Sequence, residues 1–222
     1  CVAGVVVDSG NFDYAADPER FPGFNTPAES YNGLVYARDL GVGGALGANM
    51  AFILKLHTEG QRDLGFAASP FNAFLVAQGI ETLSLRMERH VDNALAVARW
   101  LTGRPEVASV RYSGLPDSPY YELHRKYCPR GAGAVLTFEL AGGRAAGAAF
   151  IDALTLFSNV ANIGDVRSLA IHPATTTHSQ LDDAALARAG VTPGTVRLSV
   201  GIEHIDDILA DLERGLAAVA GA

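Results

Sequence analysis

Lysine is almost missing from this 222-residue sequence: Lys55 and Lys126 are the only two among 17 basic residues, the rest being arginine. The skew fits a coding bias, and it leaves few places for amine-based chemistry. Cysteine is equally scarce, with Cys1 and Cys128 alone. Two thiols exclude a disulfide framework and agree with a reducing, cytoplasmic setting. No run of cations interrupts the acidic balance of net −7. That excludes a nucleic-acid binder, which needs clustered Lys and Arg. Apolar stretches are short or broken by Gly and Arg, so no membrane-spanning segment is predicted. The six histidines (57, 90, 124, 172, 178, 204) form no HExxH and have no CxxC beside them, which leaves a metal site without support. No GxSxG nucleophile elbow occurs, and neither cysteine has a partner base nearby.

What is present is a chain that is 49% hydrophobic and long enough to bury a core. The opening "CVAGVVVDSG" is β-branched and closed by a turn, and reads as a buried strand over Val2–Val7. A Pro- and Gly-rich loop follows. The glycines of "GVGGALG" lack the Rossmann spacing, because Leu46 stands where the third glycine would be, and they read as a turn before a helix at 48–58. Ser69-Pro70 is a helix start. Ile80, Leu83, Met87, Val91, Leu95, Ala98 and Leu101 then recur at helical spacing. Carried from Ser69 to Leu101 this is roughly 50 Å of helix, a rod between two domains with a bend near Gly79. In "RMERH", Arg86, Glu88, Arg89 and His90 read as a charged helix face. Beyond Gly103 strands and helices alternate: strands at 107–112, 134–140 and 196–200, a helix at 145–156, and a last helix striped with Ile205, Ile208, Leu212 and Leu216.

Two stretches concentrate chemistry. In "VRLSV", Val196, Leu198 and Val200 share one strand face, so Arg197 and Ser199 project from the other. Arginine on a rigid strand can grip a carboxylate with two parallel hydrogen bonds. A solvated strand arginine satisfies the same spacing. In "NVANIGDVRSLAIHPATTTHSQL", Asn162 and Asp165 flank Gly164 in a tight turn, and the Thr175–Ser179 run reads as caps and turn formers. From the residues alone this is an α/β protein with a possible carboxylate site.

The stretches "SPFNAFLVAQGIETLSLRMERHVDNA", "NVANIGDVRSLAIHPATTTHSQL" and "GTVRLSVGIEHIDDILADLERGL" resemble the Cys/Met-metabolism group of pyridoxal-phosphate enzymes. The resemblance runs over nearly the whole chain. Within the group, "YNGLVYARDLG" and "NIGD…IHPATTTHSQL" favour the sulfhydrylases that use O-acetylhomoserine over methionine γ-lyase or cystathionine γ-synthase. The implied fold is α/β, a fold-type I PLP-dependent transferase, with 1–85 the tail of the large cofactor domain and 86–222 the complete C-terminal, substrate-carboxylate-binding domain. The implied activity is γ-replacement, giving homocysteine from O-acetylhomoserine and sulfide with pyridoxal 5'-phosphate. Carried over by motif, Arg197 binds the substrate α-carboxylate and Asn162 assists it.

The family's Schiff-base lysine lies in a motif that neither Lys55 nor Lys126 matches. The resemblance therefore implies the C-terminal portion of such an enzyme. It would work with an N-terminal portion that holds most of the cofactor, in a tetramer of nicked protomers. Cys1 would fit a splice junction, because the residue after an intein must offer a thiol or hydroxyl to the upstream acyl group; a proteolytic or other boundary fits as well. The competing expectation is a non-catalytic or regulatory partner that kept the substrate domain alone.

Overall fold

The valine-rich opening does not form the strand expected of it. Residues 1–9 have no regular secondary structure, and Val2, Val5 and Val7 are almost fully exposed. A β-branched run makes a strand only where a neighbour pairs with its backbone. The computed structural model describes residues 1–219 and divides the chain into two units, 1–80 and 81–222. Among the described residues of the first unit, the one β-pairing is an isolated Ala28–Leu34 bridge.

That first unit is made of short helices: α1 (Pro22–Asn25), α2 (Tyr36–Leu40), α3 (Ala51–Lys55), α4 (Arg62–Leu64) and α5 (Pro70–Glu81). The expected helix at 48–58 is present, but it widens after α3 into a π-helical stretch, Leu56–Gln61. The fully buried Tyr36 accounts for the local order: its hydroxyl donates to Thr58 Oγ1 at 2.6 Å, while Thr58 Oγ1 donates to the Leu54 carbonyl at 2.7 Å. Tyr31 donates to the Thr58 carbonyl at 3.0 Å. Phe12, Tyr14, Phe21 and Phe24 form an aromatic cluster, with Tyr14 and Phe24 stacked 4.1 Å apart.

The expected continuous rod is two helices. α5 ends at Glu81 and α6 runs Leu83–Thr102, with Thr82 between them at φ −105°, ψ 5°. A β-branched residue three positions after Gly79 gives a weak helical segment. The buried stripe of α6 is also rotated from the one expected: Met87 is partly exposed, and His90, Asn93, Ala94, Val97, Ala98 and Leu101 face inward. Small side chains at 94 and 98 let the helix lie close to its neighbours. His90 thus leaves the charged face predicted for it; its Nδ1–H donates to the Val200 carbonyl at 2.6 Å.

The second unit continues with β1 (Val107–Arg111), α7 (Tyr121–Tyr127), β2 (Val135–Leu140), α8 (Gly143–Ala153), β3 (Ser158–Asn159), β4 (Leu169–Ile171), α9 (Asp183–Arg188), β5 (Thr195–Ser199) and α10 (Ile205–Val219). The strands make one sheet in the order β1-β2-β5-β4-β3, antiparallel except for β3 with β4. Period-two alternation fixes its faces. Leu136, Phe138, Leu140, Val196 and Leu198 point into a core shared with α6, α8 and α10. The opposite face carries Thr137, Glu139, Thr195, Arg197 and Ser199.

Asp211 of α10 is 2% exposed and ties the loop after α8 to this core. Its carboxylate accepts the N–H groups of Thr155, Leu156 and Phe157 at 2.9–3.0 Å, the Thr155 hydroxyl at 2.9 Å, and Arg214 Nη1 at 2.6 Å. Burial alone would push its pKa up, but the backbone donors outweigh it and hold the carboxyl below the usual aspartate value. A depressed folded-state pKa contributes stability above the unfolded value and loses it as pH falls through the folded one. Replacing Asp211 with Ala orphans three N–H groups and is expected to cost about 3 kcal/mol in denaturant unfolding at neutral pH. The gap between wild type and variant should narrow under strong acid.

Candidate functional site

β5 is flanked on both sides, by β2 and β4, so its polar side chains stand in the middle of a sheet. Arg197 lies opposite Thr137 on β2 and Ile171 on β4. It is half-buried, on the face away from the core, exactly two residues before Ser199 in the alternation. The groove on this face is lined by Arg111, Thr137, Glu139, His178, Thr195 and Arg197, among others. Glu139 accepts the Thr195 hydroxyl at 2.9 Å and makes no ion pair with Arg197 among the described residues.

The two residues singled out from sequence are brought together. Arg197 Nη2 donates to the backbone carbonyl of Asn162 at 3.2 Å. Asn162 Oδ1 accepts the Ile163 N–H at 2.9 Å, which leaves the side-chain amide N–H groups without a bond among the described residues. A guanidinium has five donors, and one bond to Asn162 orients it while the others stay available to an anion. Arg197 is thus fixed against the backbone of an exposed turn and lines the groove.

The turn that carries Asn162 is held by contacts that no motif pointed to. Ser199 Oγ accepts the Gly164 N–H at 3.2 Å. Downstream, Glu203 accepts both the N–H and the hydroxyl of Ser168, at 2.7 and 2.9 Å, and Ser168 Oγ accepts the Gly201 N–H at 2.9 Å. The Ile202 N–H donates to the Val166 carbonyl at 2.9 Å. Of these, only the facing of Ser199 could be read from the sequence, through its parity with Arg197.

The His–Thr run is mostly structural, as its residue types suggested. His172 is buried; its Nε2–H donates to the Pro193 carbonyl at 2.7 Å, and Thr175 Oγ1 lies 3.0 Å from Nδ1. Thr177 and His178 line the groove. Cys1 and Cys128 are both exposed with free thiols. Among the described residues no group of His, Cys, Asp and Glu could hold a metal ion, and no helix is long and apolar enough to cross a membrane.

Comparison with known proteins decides the kinship. Residues 1–217 match the family described as Cys/Met metabolism PLP-dependent enzyme. The chain belongs to this family. Among curated relatives of this Cys/Met-metabolism chain is the O-acetyl-L-homoserine sulfhydrylase of Corynebacterium glutamicum, 54% identical over 98% of this chain and 49% of that protein. The homocysteine synthase of Schizosaccharomyces pombe is 46% identical over 97% of this chain and 48% of its own length. Among solved structures, an O-acetylhomoserine (thiol)-lyase of Campylobacter jejuni with a pyridoxyl-lysine phosphate is 40% identical with a TM-score of 0.75. It covers 87% of this chain, which covers 44% of it. The chain thus spans about half the length of the curated relatives it matches, and the α/β fold is that of the PLP-dependent family.

The family's cofactor is pyridoxal phosphate, which needs an amine free to condense with its aldehyde. Lys55 Nζ is ion-paired with Glu59 and lies over the rings of Tyr36 and Phe24, at 4.8 and 5.7 Å. Lys126 is exposed on the short α7, 5.0 Å from the Tyr127 ring centroid. No lysine lines the groove. The residues present do not fit a covalently held pyridoxal phosphate.

Burial holds the His172 imidazole below the ordinary histidine pKa, more than its bond to Pro193 raises it. The unfolded chain therefore takes up a proton before the folded one as pH falls, and the His172 contribution to stability is lost below the ordinary histidine value. Unfolding midpoints at about pH 7.5 and about pH 5.5 should differ in the wild type. His172→Gln should be less stable at the higher pH and show a smaller difference between the two.

Proposed function

We propose that this chain supplies the substrate-carboxylate half of a PLP-dependent γ-replacement enzyme. Acetate leaves Cγ of O-acetyl-L-homoserine, sulfide takes its place, and the product is L-homocysteine. The observation that carries the proposal is the Arg197–Asn162 pair, set on the polar face of a central strand in a chain of this family. Relatives named as O-acetyl-L-homoserine sulfhydrylases and homocysteine synthases support the substrate class.

In this reading the guanidinium of Arg197 grips the α-carboxylate with two parallel hydrogen bonds, and the Asn162 carboxamide donates to the same group. Their task is orientation: pinning one end of the amino acid fixes where Cα and the side chain lie, which converts binding into alignment. Glu139 lines the same groove but makes no ion pair with Arg197 among the described residues, so the guanidinium stays available to the incoming carboxylate. Cofactor attachment and proton transfer fall to an N-terminal portion of the enzyme, since this chain's lysines fit neither task. That portion is the proposed partner, within a cytoplasmic tetramer whose protomers each combine the two pieces.

The test combines this chain with the N-terminal half of the Corynebacterium glutamicum relative, pyridoxal phosphate, O-acetylhomoserine and sulfide. Homocysteine should form from the mixture and from neither piece alone. Arg197→Ala should raise the KM for O-acetylhomoserine by about 10- to 100-fold. Arg197→Lys should recover only part of the loss, because an ammonium lacks the planar fork. An assembled complex with no turnover would mark the chain as a non-catalytic module, and an unchanged KM would remove Arg197 from the substrate.

A further inference from the structure

We infer that Ser199 is a positioning residue for the carboxylate clamp, acting on substrate through the Asn162–Gly164 turn. The inference rests on the assignment of Arg197 and Asn162 to the substrate carboxylate and adds the group that fixes their spacing.

Ser199 is 1% exposed although it lies on the polar face of the sheet. Its Oγ accepts the Gly164 N–H at 3.2 Å, which ties it to the turn. Two residues earlier on the same face, Arg197 Nη2 donates to the Asn162 carbonyl at 3.2 Å. One strand thus holds both arms of the turn, and its rigid two-residue repeat sets the distance between the holding points. The far end of the connection is secured separately, by Glu203 on Ser168 and by the Ile202–Val166 backbone bond. Between those anchors and β3, residues 160–164 are exposed, and among the described hydrogen bonds the side chains that reach them from outside the segment are Arg197 and Ser199.

The division of labour follows from what each contact leaves available. If Arg197 alone held the turn, a substrate drawing its guanidinium away would release Asn162 at the same moment. With Ser199 holding Gly164, the turn stays in place while Arg197 engages the carboxylate. Gly164 has φ +78° and lies in open space, a left-handed conformation that glycine adopts without strain. It lets the backbone present its N–H to Ser199 while Asn162 faces Arg197. The clamp is pre-organised entirely by residues of the second unit.

The test uses the assembled enzyme described above. Ser199→Ala should raise the KM for O-acetylhomoserine about fivefold, with kcat and the KM for sulfide within about twofold of wild type. Ser199→Thr, which keeps the hydroxyl, should restore much of the affinity. Gly164→Ala strains the turn from its exposed side without touching the core, and should give the same KM-selective defect even if Ser199→Ala folds poorly. Arg197→Ala is measured in parallel. If Arg197→Ala raises KM while Ser199→Ala and Gly164→Ala do not, the positioning role is wrong and the carboxylate assignment stands. If Arg197→Ala has no effect, the assignment falls and the positioning role falls with it. A loss in kcat equal to that in kcat/KM for Ser199→Ala would also overturn the inference.

Discussion

The second unit depends on the pairing of β5 with a strand on each side. Thr195–Ser199 makes antiparallel ladders to β2 and to β4, which fixes its backbone in two directions at once. Val196 and Leu198 then enter the core beneath α8 and α10, while Arg197 and Ser199 are held on the other face. Core and site are alternate residues of one strand. A slip of a single residue would put a guanidinium into the apolar layer, so burial of the valine and leucine enforces the placement of the arginine. The stability of the fold and the precision of the site share one cause.

Around that strand the polar anchors are long-range and mostly to backbone. His90 and Asn93 of α6 donate to the carbonyls of Val200 and Gly201. Asp211 gathers the loop after α8, and Glu203 gathers the start of β4 through Ser168. The buried His90, Asn93 and Asp211 each meet backbone groups that would otherwise lack a partner. The result is an exposed turn, carrying Asn162, whose geometry is set from below.

Much of this was legible in the sequence where a period was involved. The alternation in "VRLSV" placed Arg197 correctly, and the final helix and the central strands follow their apolar spacing. The resemblance supplied the family and singled out Asn162, which no periodicity could. What could not be read was whatever depends on a partner distant in the chain. The Val2–Val7 run has strand composition, yet composition does not provide a neighbouring edge. His90 has the charge and setting of a solvated helix face, and only the proximity of Val200 makes it a core residue. The break at Thr82 turns on one backbone angle inside an otherwise unbroken helical pattern, and the Ser199–Gly164 bond on a loop that folds back onto its strand.

The long reach of the α6 anchors has a consequence in time. His90 and the carbonyl it donates to are separated by 110 residues, and Asn93 and Gly201 by 108. On a ribosome making about 5–20 residues per second, α6 emerges several seconds before β5. Its buried imidazole and carboxamide have no native partner during that interval. The strand that carries Arg197 is thus also the last of the five strands to be synthesised, and the interior closes only when α10, which follows it, brings Ile208, Leu212 and Leu216.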